Sequence, residues 1–263
     1  MSKTKVIAFA NNKGGSGKTT TCSNIGYAMA LGGKRVLLID GDMQLNLTLS
    51  YFDEERVFEL AENGKNIYTA IKEERDLSEF VTPTGYEGLD IIPSSSLMSG
   101  IEFDLFSKWQ REMILKKCLS AIVARGYYDY VLIDAPPTLG GWVMNIMCAS
   151  DFVIIPVEAS PWGLFGLANM FDFIGKAREI SPRLEVLGIA VTKADERKNY
   201  FHQTIETLRE TDAARLFETY VRVDSNIEWA QDNSKPVLAF KRYSRSSIEY
   251  NKLAKEIQKY ADR

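Results

Sequence analysis

The 263-residue sequence predicts an α/β fold, a doubly wound and mostly parallel sheet flanked by helices. Three observations predict it. Short apolar runs recur without polar alternation, as expected for strands buried on both faces. The segments between most of them are long enough to carry crossover helices. The first run passes through a glycine-rich turn straight into a helical pattern.

Taken in order, residues 6–10 form the first strand and residues 19–31 the first helix, which Gly32 and Gly33 close because glycine adopts the left-handed C-cap conformation readily. Residues 36–39 form the second strand, followed at once by Asp40. The stretch 52–86 is charged and less regular, with a short surface helix expected over 66–75. Further strands are predicted at 89–92, 130–133, 152–156 and 186–191. Residues 244–260 are amphipathic, with Ile248, Leu253 and Ile257 at roughly helical spacing. Their polar face mixes both charge signs, which favours a C-terminal helix packed on the sheet over a basic membrane-surface helix. No linker, repeat or low-complexity segment interrupts the chain, so residues 1–263 read as a single domain.

Composition narrows the function classes. A net charge of −3 gives no overall basic field, so any nucleic-acid binding must come from a local patch. Cys22, Cys118 and Cys148 match neither metal-ligand nor disulfide spacing and are expected to be buried. The N-terminus lacks a signal-peptide pattern and no run is long enough to cross a bilayer, which predicts a cytoplasmic protein. Trp142, Phe152, Trp162, Phe165, Phe171 and Phe173 fall in strand or helix patterns and are assigned to packing. His202, the only histidine, is placed on a surface helix.

The chemistry is concentrated in Lys13-Gly14-Gly15-Ser16-Gly17-Lys18-Thr19, which follows a strand and opens a helix, the context that supports a phosphate loop. Glycines let main-chain N–H groups wrap a phosphate, and the helix N-terminus adds a positive dipole end. Lys18 is expected to bridge the β- and γ-phosphates, Thr19 to ligate Mg²⁺ and Thr20 to reach the α-phosphate. The general pattern has its first glycine where this chain has Asn12, and Lys13 follows directly.

Asp40 and Asp42 end the second strand, at the carboxyl edge where open α/β sheets bind ligands. Asp134 ends the strand 130–133 in the Walker B pattern, an acidic group holding Mg²⁺ directly or through water. Pro136, Pro137 and Thr138 then form a stiff loop suited to sensing a γ-phosphate.

Taken together, the segments KGGSGKTT, LLIDGDMQLNLT, YDYVLIDAPPTLG and KPVLAF resemble the ParA/Soj branch of the ParA/MinD family of deviant Walker A P-loop ATPases. The resemblance runs from the first strand to the last helix. It implies that Lys13 reaches into the partner's phosphate site in an ATP-dependent sandwich homodimer, where its charge stabilises the transferring phosphoryl group. Asp42 would position the attacking water, and Asp40 would support the Mg²⁺ shell. This chain has Met43 and Leu45 where relatives commonly have proline and glycine, which leaves the shape of that loop open.

Thr192-Lys193-Ala194-Asp195 is similar to the N-K-x-D guanine-reading element of many GTPases. Its first position is threonine, and the matching segment in ParA-like relatives implies no guanine selectivity. ATP is therefore the expected nucleotide, with Thr192 and Asp195 assigned to its binding.

The resemblance also implies nonspecific DNA binding by the ATP-bound dimer, nucleoid association in that state, and hydrolysis accelerated by a ParB-like DNA-bound partner. Arg222, Lys241, Arg242 and Arg245 are the candidate phosphate contacts. Segregation or positioning of plasmid or chromosomal DNA follows as the expected function. Two alternatives share the fold: a MinD-like membrane-associated positioning ATPase, and ParA-like positioning of a non-DNA cargo.

Overall fold

The computed structural model describes residues 4–160, 164, 166–211 and 213–263; Trp162 and Phe165 lie outside them. The chain starts with β1 (Lys5–Phe9), α1 (Lys18–Leu31) and β2 (Val36–Asp40). Three short helices follow, α2 (Asn46–Leu49), α3 (Glu54–Glu62) and α4 (Ile67–Lys72). A hairpin of β3 (Thr82–Tyr86) and β4 (Leu89–Ile92) leads to α5 (Ile101–Phe106) and α6 (Ile114–Arg125). Next come β5 (Tyr130–Asp134), α7 (Gly141–Ala149), β6 (Phe152–Glu158), α8 (Leu167–Ile180) and β7 (Glu185–Thr192). The chain ends in α9 (Asn199–Glu210), α10 (Ser225–Asp232), α11 (Val237–Phe240) and α12 (Arg245–Ala261).

The sheet has seven strands in the order β3-β4-β2-β5-β1-β6-β7. Every pairing is parallel except β3 with β4. The chain winds to one side of β1 through β2 and to the other through β6, so a topological switch point lies at the carboxyl end of β1.

Alternation along the strands divides the core. Val6, Ala8, Leu37, Ile39, Val131 and Ile133 face the layer that contains α4 to α8. Ile7, Phe9, Val36, Leu38 and Leu132 face α1 and α12. Burying each of the larger aliphatic side chains contributes roughly 1.5–3 kcal/mol, which explains why these strands carry almost no polar residue.

Three expectations need correction. The apolar-run pattern misses the edge strand β3, because Thr82-Pro83-Thr84-Gly85-Tyr86 has the proline and glycine that argue against a strand; at an antiparallel edge with a register shift between Pro83 and Tyr86 both are tolerated. The helix expected on the surface at 66–75 is α4, and its Ile67, Ala70 and Ile71 are fully buried. Asn66 caps it by accepting from the Thr69 N–H at 3.0 Å, while Ile67 N–H donates to Pro93 O and draws the helix inward. In α12, Leu253 and Ile257 are buried but Ile248 is 47% exposed. Five residues at about 100° each leave Ile248 far around the helix from Leu253.

The three cysteines are buried and free, as expected. The first helix ends at Gly32, and Gly33 takes the left-handed conformation at φ 83°. His202 sits exposed on α9 with a ring nitrogen 2.9 Å from Glu196 O.

Candidate functional site

The register of the sheet brings the chemical groups together before any side chain is considered. Asp40 pairs with Asp134 across β2 and β5, and Asp134 pairs with Phe9 across β5 and β1. Both carboxylates and the loop leaving β1 therefore meet at one carboxyl edge.

The loop between β1 and α1 is held from below. Asn11 Nδ2 donates to Pro156 O at 2.7 Å, and Lys13 N–H donates to Asn11 Oδ1 at 3.0 Å. Thr192 Oγ1, at the end of β7, donates to Ser16 O at 2.9 Å. Gly17 sits against that threonine with φ 83°, and a Cβ there would lie 3.2 Å from Thr192 Oγ1. Thr192 thus shapes the loop from behind. The main-chain N–H groups of Gly14, Gly15 and Gly17 have no acceptor among the described residues, which is the arrangement of an anion cradle.

Lys18 is buried, and its Nζ donates to Lys13 O at 3.2 Å. Burial holds its pKa below the ordinary lysine value, with Asp134 and Asp42 opposing that shift. Lys13 Nζ lies 2.9 Å from Glu158 Oε2 and 3.2 Å from Ser160 Oγ, both at the end of β6.

Asp134 is fully buried. Burial first, and then Asp40 beside it, push its carboxyl well above the usual range, while the Thr19 hydroxyl and the Lys18 ammonium pull it down. Despite Thr19 being close, neither carboxylate oxygen makes a well-formed hydrogen bond among the described residues. Two orphaned carboxylate oxygens beside a threonine hydroxyl form a hard-oxygen donor set that suits Mg²⁺. No group of three acidic, histidine or cysteine ligands occurs among the described residues. Mg²⁺ commonly takes one or two protein oxygens and completes its shell from phosphates and water.

Asp40 differs in kind. Its Oδ2 accepts from Thr48 N–H at 2.8 Å and from Thr48 Oγ1 at 2.7 Å, and its Oδ1 accepts from Asp42 N–H at 3.1 Å. Burial raises its pKa to about 6, against the lowering effect of the Thr48 hydrogen bonds. Its lone pairs are largely committed to shaping the loop that follows. Asp42 Oδ1 accepts from Gln44 N–H at 3.1 Å, and Leu45 is held at φ 58°, a left-handed conformation that costs a non-glycine residue roughly 1–2 kcal/mol. Glycine would adopt that conformation freely. Gly41 passes so close to β5 that a Cβ would lie 2.7 Å from Asp134 O, and its own carbonyl accepts from Trp142 Nε1–H at 2.8 Å.

A cleft of about 760 Å³ opens over this edge, with Gly14, Lys18, Thr19, Thr20 and Asp42 on its phosphate-loop side. The opposite wall comes from residues 221–224 and from α10. That wall is fixed because residues 215–223 run beside β7, with Val221 N–H donating to Val191 O and Val223 N–H to Ala194 O.

The remaining sequence candidates separate. Thr192 and Arg222 line the cleft, but Asp195 does not, its carboxylate being bound by Arg197 at 2.8 and 2.9 Å. Arg222 Nε donates to Glu249 Oε1 at 2.5 Å, and its Nη1 lies 3.4 Å from Glu196. Arg245 donates to Val223 O. Lys241 and Arg242 are exposed and make no ion pair among the described residues. Sequence reasoning misses Thr48, Glu158, Asp224 and Gln231. The contacts that tie Thr48 to Asp40, Asp224 to Ser246, Glu158 to Lys13 and Gln231 to Thr20 span 8, 22, 145 and 211 residues, and no local pattern announces them.

A family profile described as an AAA domain matches residues 4–186. The sporulation initiation inhibitor protein Soj of Bacillus subtilis is 34% identical over 254 residues, covering 96% of this chain and 98% of Soj. The chromosome partitioning protein ParA of Caulobacter vibrioides is also 34% identical over 254 residues, covering 96% of this chain and 93% of that protein. Among solved structures, cobyrinic acid a,c-diamide synthase from Mycobacterium smegmatis with bound ADP and magnesium superposes with a TM-score of 0.81 at 26% identity. That match covers 96% of this chain and 93% of the synthase chain.

Proposed function

The chain belongs to the ParA/Soj family of partition ATPases, and from that premise we propose that it is an ATP-driven positioning protein which binds DNA without sequence preference as an ATP-bound homodimer. Its ATPase activity is stimulated by a ParB-like partner, and the cargo is plasmid or chromosomal DNA. The observation that carries the reading is the convergence of Lys18, Thr19, Asp42 and the orphaned Asp134 carboxylate on the cradle of unpartnered N–H groups.

Each side chain has a defined task. Main-chain N–H groups from Gly14 to Thr20 take the phosphate oxygens, and Lys18 neutralises the charge between the β- and γ-phosphates. Thr19 and Asp134 would hold Mg²⁺, with Asp40 supporting them by fixing the Asp42 loop. When bound, the metal supplies charge neutralisation of the phosphates. Asp42 orients the attacking water towards the γ-phosphate. Lys13 leaves Glu158 and serves the phosphate site of the second protomer, where its charge stabilises the transition state. Thr192 supports the loop from behind, and Asp195 is assigned to nucleotide binding only through the turn it stabilises with Arg197.

DNA binding is assigned to Lys241 and Arg242, exposed and without ion-pair partners among the described residues, with Arg245 and Arg222 at the margin of the same surface. Contacts of that kind are salt-dependent and blind to sequence. Among the described residues no helix is long and apolar enough to cross a membrane. The test is a salt titration of binding to two unrelated DNA duplexes with ATP, with ADP and without nucleotide. Binding that requires ATP, weakens steeply with salt and ignores sequence is expected. Absence of ATP-dependent binding would sink the DNA reading in favour of a membrane or another cargo.

A further inference from the structure

Thr20 and Gln231 are 211 residues apart, yet Gln231 Nε2–H donates to Thr20 Oγ1 at 3.1 Å and both line the cleft. A hydroxyl that accepts from an amide keeps its own proton for another acceptor. Other contacts fix both ends of this bond. Asn24 Nδ2 donates to Thr20 O at 2.8 Å, and Asn24 Oδ1 accepts from Val237 N–H at 2.8 Å, tying the first turn of α1 to α11. Asp224 caps α10 through Asn226 N–H at 3.0 Å and also accepts from Ser246 N–H and Oγ at 3.1 and 2.9 Å, tying α10 to α12. Thr20 and Gln231 are thereby presented to each other by two anchored helices.

We propose that Gln231 is a positioning residue for nucleotide binding: by donating to Thr20 Oγ1 it turns the threonine proton towards the α-phosphate, and it makes α10 the wall that follows the nucleotide beyond the phosphates. The inference rests on the reading of the loop as a nucleotide site. Ile227, one turn before Gln231 on α10, lines the same wall and offers an apolar surface to the ribose and base. The carboxamide at 231 matters for its direction: a donor leaves the threonine proton free, whereas an acceptor at the same place consumes it.

Equilibrium binding of MgADP to the full-length protein, measured by titration calorimetry, tests this. Gln231 is exposed, so its replacement leaves the core untouched. Gln231→Ala is expected to weaken binding about 5- to 10-fold, the scale of one orienting hydrogen bond. Gln231→Glu is expected to be weaker still, because a carboxylate accepts the threonine proton and brings negative charge beside the phosphates. In a Thr20→Val background, Gln231→Ala should have no further effect. Wild-type affinity in Gln231→Ala, or an equal loss with and without the Thr20 hydroxyl, overturns the proposal while leaving the nucleotide site intact. Failure of the wild-type protein to bind MgADP overturns the nucleotide reading and this proposal together.

Discussion

Lys13 Nζ and Glu158 Oε2 form an ion pair at 2.9 Å, so the lysine assigned to a partner's phosphate site is held by its own chain. The two side chains are 24% and 28% exposed, and such a pair contributes about 1 kcal/mol or less. Burial raises the Glu158 pKa, but the Lys13 ammonium and its hydrogen bond outweigh that and hold the carboxyl below its usual range, so the pair is intact at neutral pH. The contact works as a weak latch. Glu158→Ala should release Lys13 in both protomers and raise the ATP-dependent dimer constant by up to about 30-fold, the equivalent of two latches at about 1 kcal/mol each. Sedimentation velocity across a protein dilution series with ATP measures it, and an unchanged or lower constant would show that the pair does not oppose dimerisation.

Two lysines five residues apart should fail differently. Lys18 is buried against Asp134 and Asp42, so Lys18→Ala removes the ammonium that the phosphates need and leaves the buried carboxylates without a compensating charge. Nucleotide affinity should fall by at least about 100-fold, the equivalent of one buried charge-assisted contact. Lys13→Ala should keep MgADP affinity within about threefold of the wild type, because the lysine points to Glu158 rather than into its own cradle, and should lose ATP turnover. Binding calorimetry and phosphate release separate the two. Comparable loss of MgADP binding in both variants would mean that Lys13 serves its own nucleotide.

Asp224 gives the fold a measurable pH signature. Burial raises its pKa, but the hydrogen bonds from Asn226 and Ser246 prevail and hold it down at about 2. A depressed carboxyl contributes stability that is present above the unfolded value near 4 and is lost as pH falls through about 2. Allowing for solvent screening, the contribution is about 1–2 kcal/mol. Urea unfolding should therefore show Asp224→Ala destabilised by that amount at pH 7, with the gap from wild type narrowing as pH falls below about 4. A gap that stays constant from neutral pH down to about pH 3 would assign the loss to packing instead.

How much of the fold and site is legible in the sequence follows from the range of each interaction. Parallel strands declare themselves through unbroken apolar runs, so β1, β2 and β4 to β7 are readable, and with them the shared edge of Asp40 and Asp134. The phosphate loop is readable because its glycines, lysine and threonine act through local backbone geometry. The edge strand β3 is hidden by Pro83 and Gly85, which an antiparallel edge tolerates. The Lys13 latch and the Gln231 contact join residues 145 and 211 positions apart, and no spacing rule links such residues before the sheet has folded. Thr48 is hidden for a different reason: its bonds to Asp40 span only 8 residues, but they exist because Leu45 adopts a left-handed turn that leucine does not advertise.

The four basic residues assigned to DNA do not stand on equal terms. Arg222 is bound to Glu249, which is 6% exposed, and to Glu196, and it already lines the cleft. Its charge is already paired with these two carboxylates. Lys241 and Arg242 have no such partners among the described residues, so the charge-reversing pair Lys241→Glu with Arg242→Glu should weaken ATP-dependent DNA binding. It should also reduce the slope of log affinity against log salt by about 0.9 for each DNA phosphate that is no longer neutralised. Arg222→Ala should instead leave that slope unchanged and lower thermal stability, because it strips a nearly buried carboxylate of its partner. A slope that flattens in Arg222→Ala but not in the double variant would move the DNA surface from the 241–242 turn to the rim of the nucleotide cleft, and would make nucleotide and DNA compete for one arginine.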